Sequence, residues 1–488
     1  MVPFLHRESQ LENEKEENKM GKELQIDEMR KQWGLPGLSV AIVKDGKVVF
    51  TKGYGFRDEK NQLPMMTDTV LPIGSTTKSF TALLLSMLVE EGKLDWDTPV
   101  KQYIPWLKLS DPEVTEKVTA RDLLCHRTGL PKHDVHGVFC TKEDRREMVE
   151  DLQYLPMSAP FRTKLQYSNQ MVMLAGYLAE VLTGKSWEAL IKERILEPLG
   201  MNHTCMTIPE METYENRSKG YLFNGTENLE LPYLSLKGIG PAGAINSTAE
   251  DMAKYLLMQL GDGKNLVSEE SLEEMHKVQM QGTPYFWTMD EITDANYGLG
   301  WFVDLYRGHK MVSHGGNTLG FSSLMTLMPE QDFGMILLSN GNSNFMIYAL
   351  TYAILDQLLE AEEQDWTAKM QGLIGGVFAQ MQKAMEERAK NRIPDTTPKH
   401  KQEAYCGVYK APGFGTFTVK ESDGKLVGDL NGYDVIFSHY QNEEFDGVLT
   451  MMGVNFPLTF ESDENGNVNG FSAVLEPTAA PIVFERIA

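Results

Sequence analysis

The period of the hydrophobic pattern changes twice along this chain, and those changes constrain the fold more than any single motif. Leu38-Ser-Val-Ala-Ile-Val43 and Lys47-Val-Val-Phe-Thr51 are strand-like runs around Asp45-Gly46, which together read as a hairpin. After Gly74 the period becomes helical. Phe80, Leu83, Leu84, Met87 and Leu88 share one face, and Gly92 ends the run. Further helices read at Ala120–Cys125, Met171–Leu182 and Thr248–Leu260, the last opened by a Ser247/Thr248 cap and acidic residues. Strands return at Met311–Ser313, Ser322–Leu327 and Met335–Ser339, before an apolar helix from Met346 to Leu359. The expectation is an α/β (α+β) domain. One mostly antiparallel sheet is built from both ends of the segment, with helices on both faces and an all-helical subdomain between.

A polar helix from about Asp365 to Lys390 leads to Pro394-Asp-Thr-Thr-Pro398, a proline-bracketed stretch typical of a domain boundary. Beyond it the pattern is all β, with strands at Thr416–Lys420, Lys425–Leu430, Val448–Met452, Phe456–Glu461 and Gly470–Leu475. About six to eight short strands in so short a segment fit a small barrel. The expected division is a charged tail over 1–24, a catalytic domain over 25–362, a helical linker over 363–400 and a C-terminal β-barrel over 401–488.

Lys plus Arg number 46 against 69 Asp plus Glu, a formal charge of −23. Such a surface repels phosphate backbones and anionic bilayers, so neither nucleic acid nor membrane is an expected partner. No stretch is long and apolar enough to span a bilayer, and Val2–Leu5 is too short for a signal-peptide core, so a cytoplasmic location is expected. Cys125, Cys140, Cys205 and Cys406 are widely spaced and read as free thiols.

The chemistry begins at Ser75-Thr-Thr-Lys78, where a loop enters an apolar helix. A spacing of i, i+3 puts the hydroxyl and the amine on one helix face. The helix start favours negative charge developing near the serine oxygen, and a buried lysine can accept its proton. Four residues alone also describe a capping serine beside a surface lysine. Tyr167-Ser-Asn169 stands just before the helix at Met171, and supplies a phenol able to shuttle protons and an amide able to orient a carbonyl. Ser313-His-Gly-Gly-Asn317 follows a strand-like run. Its glycines let a ligand approach backbone N–H groups, and His314 offers a hydrogen bond.

This order of Ser-x-x-Lys, Tyr-x-Asn and a strand-borne triplet ending in glycine resembles serine penicillin-binding proteins, class C β-lactamases and their esterase and D-aminopeptidase relatives. Pro36-Gly37, Gly53-Tyr-Gly55, Arg121-Asp-Leu-Leu-Cys-His-Arg-Thr-Gly-Leu130, Gly240-Pro-Ala-Gly243 and Ser247-Thr-Ala-Glu-Asp251 look like recurrent segments of that family, over about residues 25 to 360. The resemblance implies a serine hydrolase acylated on Ser75, with Lys78 and Tyr167 moving its proton. Ser75 and Asn317 N–H groups would form the oxyanion hole, and Asn169, His314 and Gly316 would line the substrate. No cofactor and no metal are implied. The triplet His314-Gly-Gly316 lacks the lysine of Lys-Thr-Gly, which would hold a β-lactam carboxylate. Small esters, amides or peptides are therefore the expected substrates, with a true β-lactamase or DD-peptidase as the alternative. The appended domain looks like the small β domain common in this family. It is expected to be a lipocalin-like barrel with a structural or substrate-gating role, and the resemblance allows a homo-oligomer.

Other readings compete. Cys125, His126, His133, His136 and Cys140 lack the spacing of a zinc site and read as structural residues. His314-Gly-Gly could be an α/β-hydrolase oxyanion loop, but the chain has no Gly-x-Ser-x-Gly. A catalytically silent binding protein on the same fold is opposed by the intact Ser75, Lys78 and Tyr167. Val135–Met148 and Gly282–Asn296 are the expected pocket loops, and Tyr285, Phe286, Trp287 and Tyr297 an expected aromatic wall.

Overall fold

A computed structural model describes residues 25–139, 142–262, 264–282 and 287–488. The expectations for the N-terminal tail, Cys140, Tyr285 and Phe286 lie outside the described residues. The chain divides into two compact units, one formed by residues up to Thr98 with Ala175–Val377, the other by Pro99–Leu174 with Phe378–Ala488.

The first unit is organised by a nine-stranded sheet. Strands β1 (Gly37–Lys44), β2 (Lys47–Asp58) and β3 (Leu63–Pro64) come from the start of the chain. A short pair, β4 (Leu71–Pro72) with β7 (Asn246–Ser247), and a hairpin, β5 (Gly220–Phe223) with β6 (Asn228–Leu231), stand apart from it. Strands β8 (Met280–Gln281), β9 (Asn296–Tyr297), β10 (Phe302–Tyr306), β11 (His309–Thr318), β12 (Phe321–Met328) and β13 (Phe333–Ser339) complete the sheet in the order 3-2-1-13-12-11-10-9-8. Antiparallel pairing of β1 with β13, Leu38 opposite Ser339 and Lys44 opposite Phe333, joins the two ends of the segment as expected.

Every residue of β12 and β13 is buried, which explains runs that are apolar rather than alternating. One face carries Val40, Ile42, Leu324 and Leu337 against Ile347, Leu350 and Ile354 of the helix Met346–Leu358. The other receives the helix Ala249–Gln259, whose Leu256 reaches the bare Cα of Gly334. The predicted cap is present, with Thr248 accepting from the Asp251 N–H. The polar helix runs from Trp366 to Lys390, but its first turns are anchored. Trp366, Met370 and Ile374 are buried, and the Trp366 indole donates to Asp356 at 2.8 Å. The described part of the expected aromatic wall divides. Trp287 packs edge-on against Phe345 and Tyr348 in the sheet core, whereas Tyr297 turns to His314.

In the second unit, Asp122 organises the helical segment. Its carboxylate closes a capping box with Thr119 and takes the guanidinium groups of Arg127 and Arg162. The C-terminal part is a closed eight-stranded antiparallel barrel. Its strands are β14 (Gly407–Ala411), β15 (Gly415–Ser422), β16 (Lys425–Leu430), β17 (Tyr433–Gln441), β18 (Glu444–Leu449), β19 (Val454–Ser462), β20 (Val468–Ala473) and β21 (Ile482–Arg486). Phe417, Phe445, Phe456, Phe460, Phe471 and Phe484 fill the interior with edge-to-face and stacked rings. One strand expectation is corrected. The strand placed at Val448–Met452 occupies Glu444–Leu449, and a turn follows it. Gly447 lies inside that strand because a Cβ there would stand 2.5 Å from the Phe456 ring.

Among the described residues no helix is long and apolar enough to cross a membrane, and no group of three or more His, Cys, Asp or Glu side chains could hold a metal ion. Cys125, Cys205 and Cys406 are free thiols.

Candidate active site

Ser75 sits in a single 3₁₀ turn, Gly74–Thr76, that runs directly into the helix Thr77–Glu90. Lys78 is one turn further on and fully buried. Its ammonium donates to Ser75 Oγ at 3.0 Å and to the carbonyl of Ala242 at 2.8 Å. Ala242 belongs to the Gly240-Pro-Ala-Gly segment. That segment is tied to the same helix by Thr81, whose hydroxyl donates to Pro241 O at 2.7 Å and accepts from the Trp187 indole at 3.0 Å. A nucleophile candidate and an amine thus meet in a setting that fixes the amine by burial and by a distant carbonyl.

The turn lies against β11 more closely than side chains would allow. A Cβ on Gly316 would stand 1.9 Å from Ile73 O and 2.9 Å from Ser75 N. A Cβ on Gly74, which has φ 51°, would stand 2.7 Å from the Asn317 N. The Gly74–Thr76 turn and the strand at Gly316 and Asn317 therefore approach backbone to backbone, which two glycines permit. Ser323 locks the contact by donating to Ile73 O at 2.7 Å, and its hydroxyl meets that of Thr76 at 2.8 Å. Ser75 is half-buried and Asn317 exposed, so solvent reaches this junction.

His314 is fully buried. Its Nδ1 is 2.6 Å from Gly315 O, which can only accept, and its Nε2 is 2.8 Å from the Tyr297 hydroxyl. Burial, then the charge of Lys78, push the imidazole down to about 3. The ring is thus neutral at ordinary pH.

Tyr167 and Asn169 belong to the second unit. Tyr167 is half-buried and lies against His126, ring centroids 4.4 Å apart. His126 Nδ1 accepts from the Ser168 N–H at 3.1 Å, and its carbonyl accepts from the Gln166 N–H at 2.7 Å. One histidine, at φ 58°, therefore props three consecutive residues, Gln166 to Ser168. Asn169 begins the helix Asn169–Thr183 and donates from Nδ2 to Asp134 at 3.1 Å. The Lys132 ammonium stands 6.0 Å from the Tyr167 ring centroid.

Ser75, Lys78, His314, Gly316 and Asn317 thus come together in one unit, and Tyr167 with Asn169 in the other. Ala242, Tyr297, His126 and Asp134 complete these clusters. The Gly240-Pro-Ala-Gly and Leu-Leu-Cys-His segments signalled two of them, but nothing local announced that a carbonyl would ligate Lys78 or that a tyrosine would hold His314.

Known proteins resemble this chain over most of its length. The family Beta-lactamase matches residues 24–359, and the Domain of unknown function (DUF3471) matches residues 391–486. The Unguisins hydrolase ungD' of Aspergillus campestris is 32% identical, over 92% of this chain and 88% of its own. Protein flp of Staphylococcus aureus is 28% identical over 64% of this chain and 61% of its own. Among solved structures, the octameric penicillin-binding protein homologue from Pyrococcus abyssi matches with TM-score 0.63 and 25% identity, covering 95% of this chain and 99% of that one. The D-amino acid amidase from Ochrobactrum anthropi matches with TM-score 0.57 and 26% identity, over 69% of this chain and 95% of that one. The chain therefore belongs to the β-lactamase family of hydrolases and carries a C-terminal DUF3471 domain.

Proposed function

We propose that this protein is a serine hydrolase that forms an acyl-enzyme on Ser75 and cleaves esters or small amides and peptides. The 3.0 Å contact between the buried Lys78 Nζ and Ser75 Oγ carries the reading. In the first step Ser75 Oγ attacks the carbonyl carbon, and its proton is taken by Lys78 in its neutral amine form and relayed to Tyr167. The developing oxyanion accepts from the Ser75 and Asn317 N–H groups, which the close packing of Gly74 and Gly316 supports. Tyr167 returns a proton to the leaving alcohol or amine as the tetrahedral intermediate collapses. Water then attacks the ester carbonyl of Ser75, its proton passes through the same groups to Ser75 Oγ as the C–Oγ bond breaks, and the acid is released. Asn169, from its place in the Tyr-Ser-Asn motif, orients the acyl side. His314, neutral and held by Tyr297, shapes the strand rather than supplying charge.

The missing triplet lysine argues for esters and amides over β-lactams. The names of two relatives, a hydrolase of unguisins and a D-amino acid amidase, favour the amide and peptide side. The octameric relative supports a homo-oligomer, which light scattering on the full chain would detect. The boundaries 25–362, 363–400 and 401–488 are proposed for the catalytic domain, linker and barrel.

The test is labelling by a fluorophosphonate, followed by turnover of p-nitrophenyl esters, D-amino-acid amides and nitrocefin. Wild type should label and Ser75→Ala should not. Equal labelling of the two would overturn the assignment of the nucleophile. Nitrocefin as the best substrate would overturn the substrate class.

A further inference from the structure

The peptide of His133 is held from two sides. Its backbone is left-handed, φ 43°, a conformation that costs a non-glycine residue free energy and persists only when its surroundings demand it. Its N–H donates at 3.2 Å to the carboxylate of Glu476, in the barrel loop between β20 and β21. Its C=O accepts at 2.7 Å from the side-chain amide of Gln170, a buried residue immediately after Tyr167-Ser-Asn169. The next residue, Asp134, accepts from Asn169 Nδ2 at 3.1 Å. Two consecutive residues therefore connect a barrel carboxylate to the start of the helix that carries Asn169. All these residues lie within the second unit.

The barrel grips the same segment twice more. Phe414, in the turn between β14 and β15, meets the His136 ring edge-on at 5.7 Å and the His133 ring at 6.5 Å. Asn431, between β16 and β17, donates to Phe139 O at 3.1 Å, and Tyr433 packs edge-on against the Phe139 ring at 4.8 Å. Packing of one domain on another accounts for the aromatic contacts. It does not require a left-handed residue whose two peptide groups bond in opposite directions, nor an exposed Asp134 set against an amide of the motif. An ionised carboxylate only accepts, so Asp134 dictates which end of the Asn169 amide faces it. The nitrogen points to Asp134 and the oxygen is turned the other way.

We infer that the barrel orients Asn169 for acyl transfer through Glu476, the His133 peptide and Asp134, so that Glu476 and Asp134 are positioning residues. The inference rests on the role given to Asn169 and Tyr167 in the proposed function. It makes the C-terminal domain part of how the site is set, in addition to any share in stability. Displacement of a catalytic group by about 1 Å costs up to a hundredfold in rate, so loss of one strut should be visible in kinetics.

The experiment uses the full chain with Glu476→Ala, Glu476→Gln, Asp134→Ala and Asp134→Asn. Hydrogen exchange across residues 164–172 is measured together with kcat and KM on p-nitrophenyl acetate and on a D-amino-acid p-nitroanilide. Each alanine variant should exchange faster at 164–172. Each should also lose about tenfold in kcat on the anilide, while Tm moves by only a few degrees. The Gln and Asn variants keep an acceptor oxygen and should stay within about twofold of wild type. Unchanged exchange at 164–172 in both alanine variants would overturn the inference. So would equal impairment of the alanine and the conservative variants. Should Glu476→Ala disturb the barrel itself, Asp134→Ala still tests the link to Asn169, and Glu476→Leu, which keeps the bulk without an acceptor, tests the link from the barrel. Failure of wild type to label at Ser75 would overturn the proposed function instead, and the exchange measurement would still judge the strut.

Discussion

The hydroxyl of Tyr297 lies 2.8 Å from Nε2 of His314. Since Nδ1 faces the Gly315 carbonyl at 2.6 Å, Nδ1 carries the hydrogen and Nε2 accepts from the phenol. Tyr297→Phe leaves that buried nitrogen without this donor. The expected cost is about 1–2 kcal/mol of stability in urea denaturation. The activity on esters should fall mainly through kcat, because the strand bearing Gly316 and Asn317 loses a brace. An unchanged denaturation midpoint would show that the phenol is dispensable.

Gly316→Ala tests the close approach of strand and turn. The added methyl would meet Ile73 O at 1.9 Å, a contact with backbone that no rotamer relieves. The Gly74–Thr76 turn must then move away from β11. Fluorophosphonate labelling should slow by about a hundredfold while the circular dichroism spectrum is retained. Labelling at the wild-type rate would mean that this contact does not set the reactive geometry.

Asp304 gives a pH signature. Its carboxyl is fully buried on β10, and burial lifts it to about 7, against one favourable hydrogen bond from the Asn296 N–H. The unfolded chain releases this proton near the ordinary value of 3.8. Between about pH 4 and 7 the folded state therefore binds more protons, and stability falls as pH rises through that window. Asp304→Asn should be neutral near pH 3 and more stable than wild type at about pH 8. The gain is on the order of 2–4 kcal/mol, read from urea midpoints at both pH values. Equal differences at both values would exclude a titrating Asp304.

Asp356 works in the opposite sense. Burial raises its pKa, but hydrogen bonds from Arg307, Tyr306 and Trp366 outweigh that and leave it below the ordinary carboxylate value. Its contribution is present above the unfolded pKa and is lost as pH falls through the folded one. Asp356→Ala takes this acceptor from the Tyr306 hydroxyl (2.6 Å), the Arg307 guanidinium (2.7 Å) and the Trp366 indole (2.8 Å). The expected loss is roughly 3 kcal/mol at about pH 7, shrinking in acid, and proteolysis should begin in the helix Trp366–Lys390. A fully stable variant would show that apolar packing of Trp366, Met370 and Ile374 with the Lys369–Glu291 pair anchors this helix without Asp356.

Features that depend on neighbours along the chain were legible in the residues themselves. Ser75 and Lys78 share a helix face because i, i+3 is local geometry, and the hairpin at Asp45-Gly46 and the Thr248 cap are equally local. The alternation of the C-terminal segment implied a barrel because interior and exterior residues must take turns along each strand. Even there one strand was expected too late in the chain. Glu444–Leu449 contains Gly447, and the reason for that glycine is the ring of Phe456 on the adjacent strand.

Which distant groups meet was settled by tertiary packing. Ala242 O reaches Lys78 across 164 residues of chain, and Ser323 reaches Ile73 across 250. Nothing near Lys78 along the chain encodes such a partner, because a buried ammonium is satisfied by whichever carbonyl the folded core presents. The residues between Pro99 and Leu174 likewise group with the barrel rather than with the sheet segments that flank them along the chain. Hydrophobic period reports that a face will be buried, whereas the choice of what buries it depends on the packing of the whole chain. The Ser-x-x-Lys pair is written in a 3₁₀ turn and the first turn of the helix that continues it. The glycines, carbonyls and struts that give it a working geometry were set by that packing.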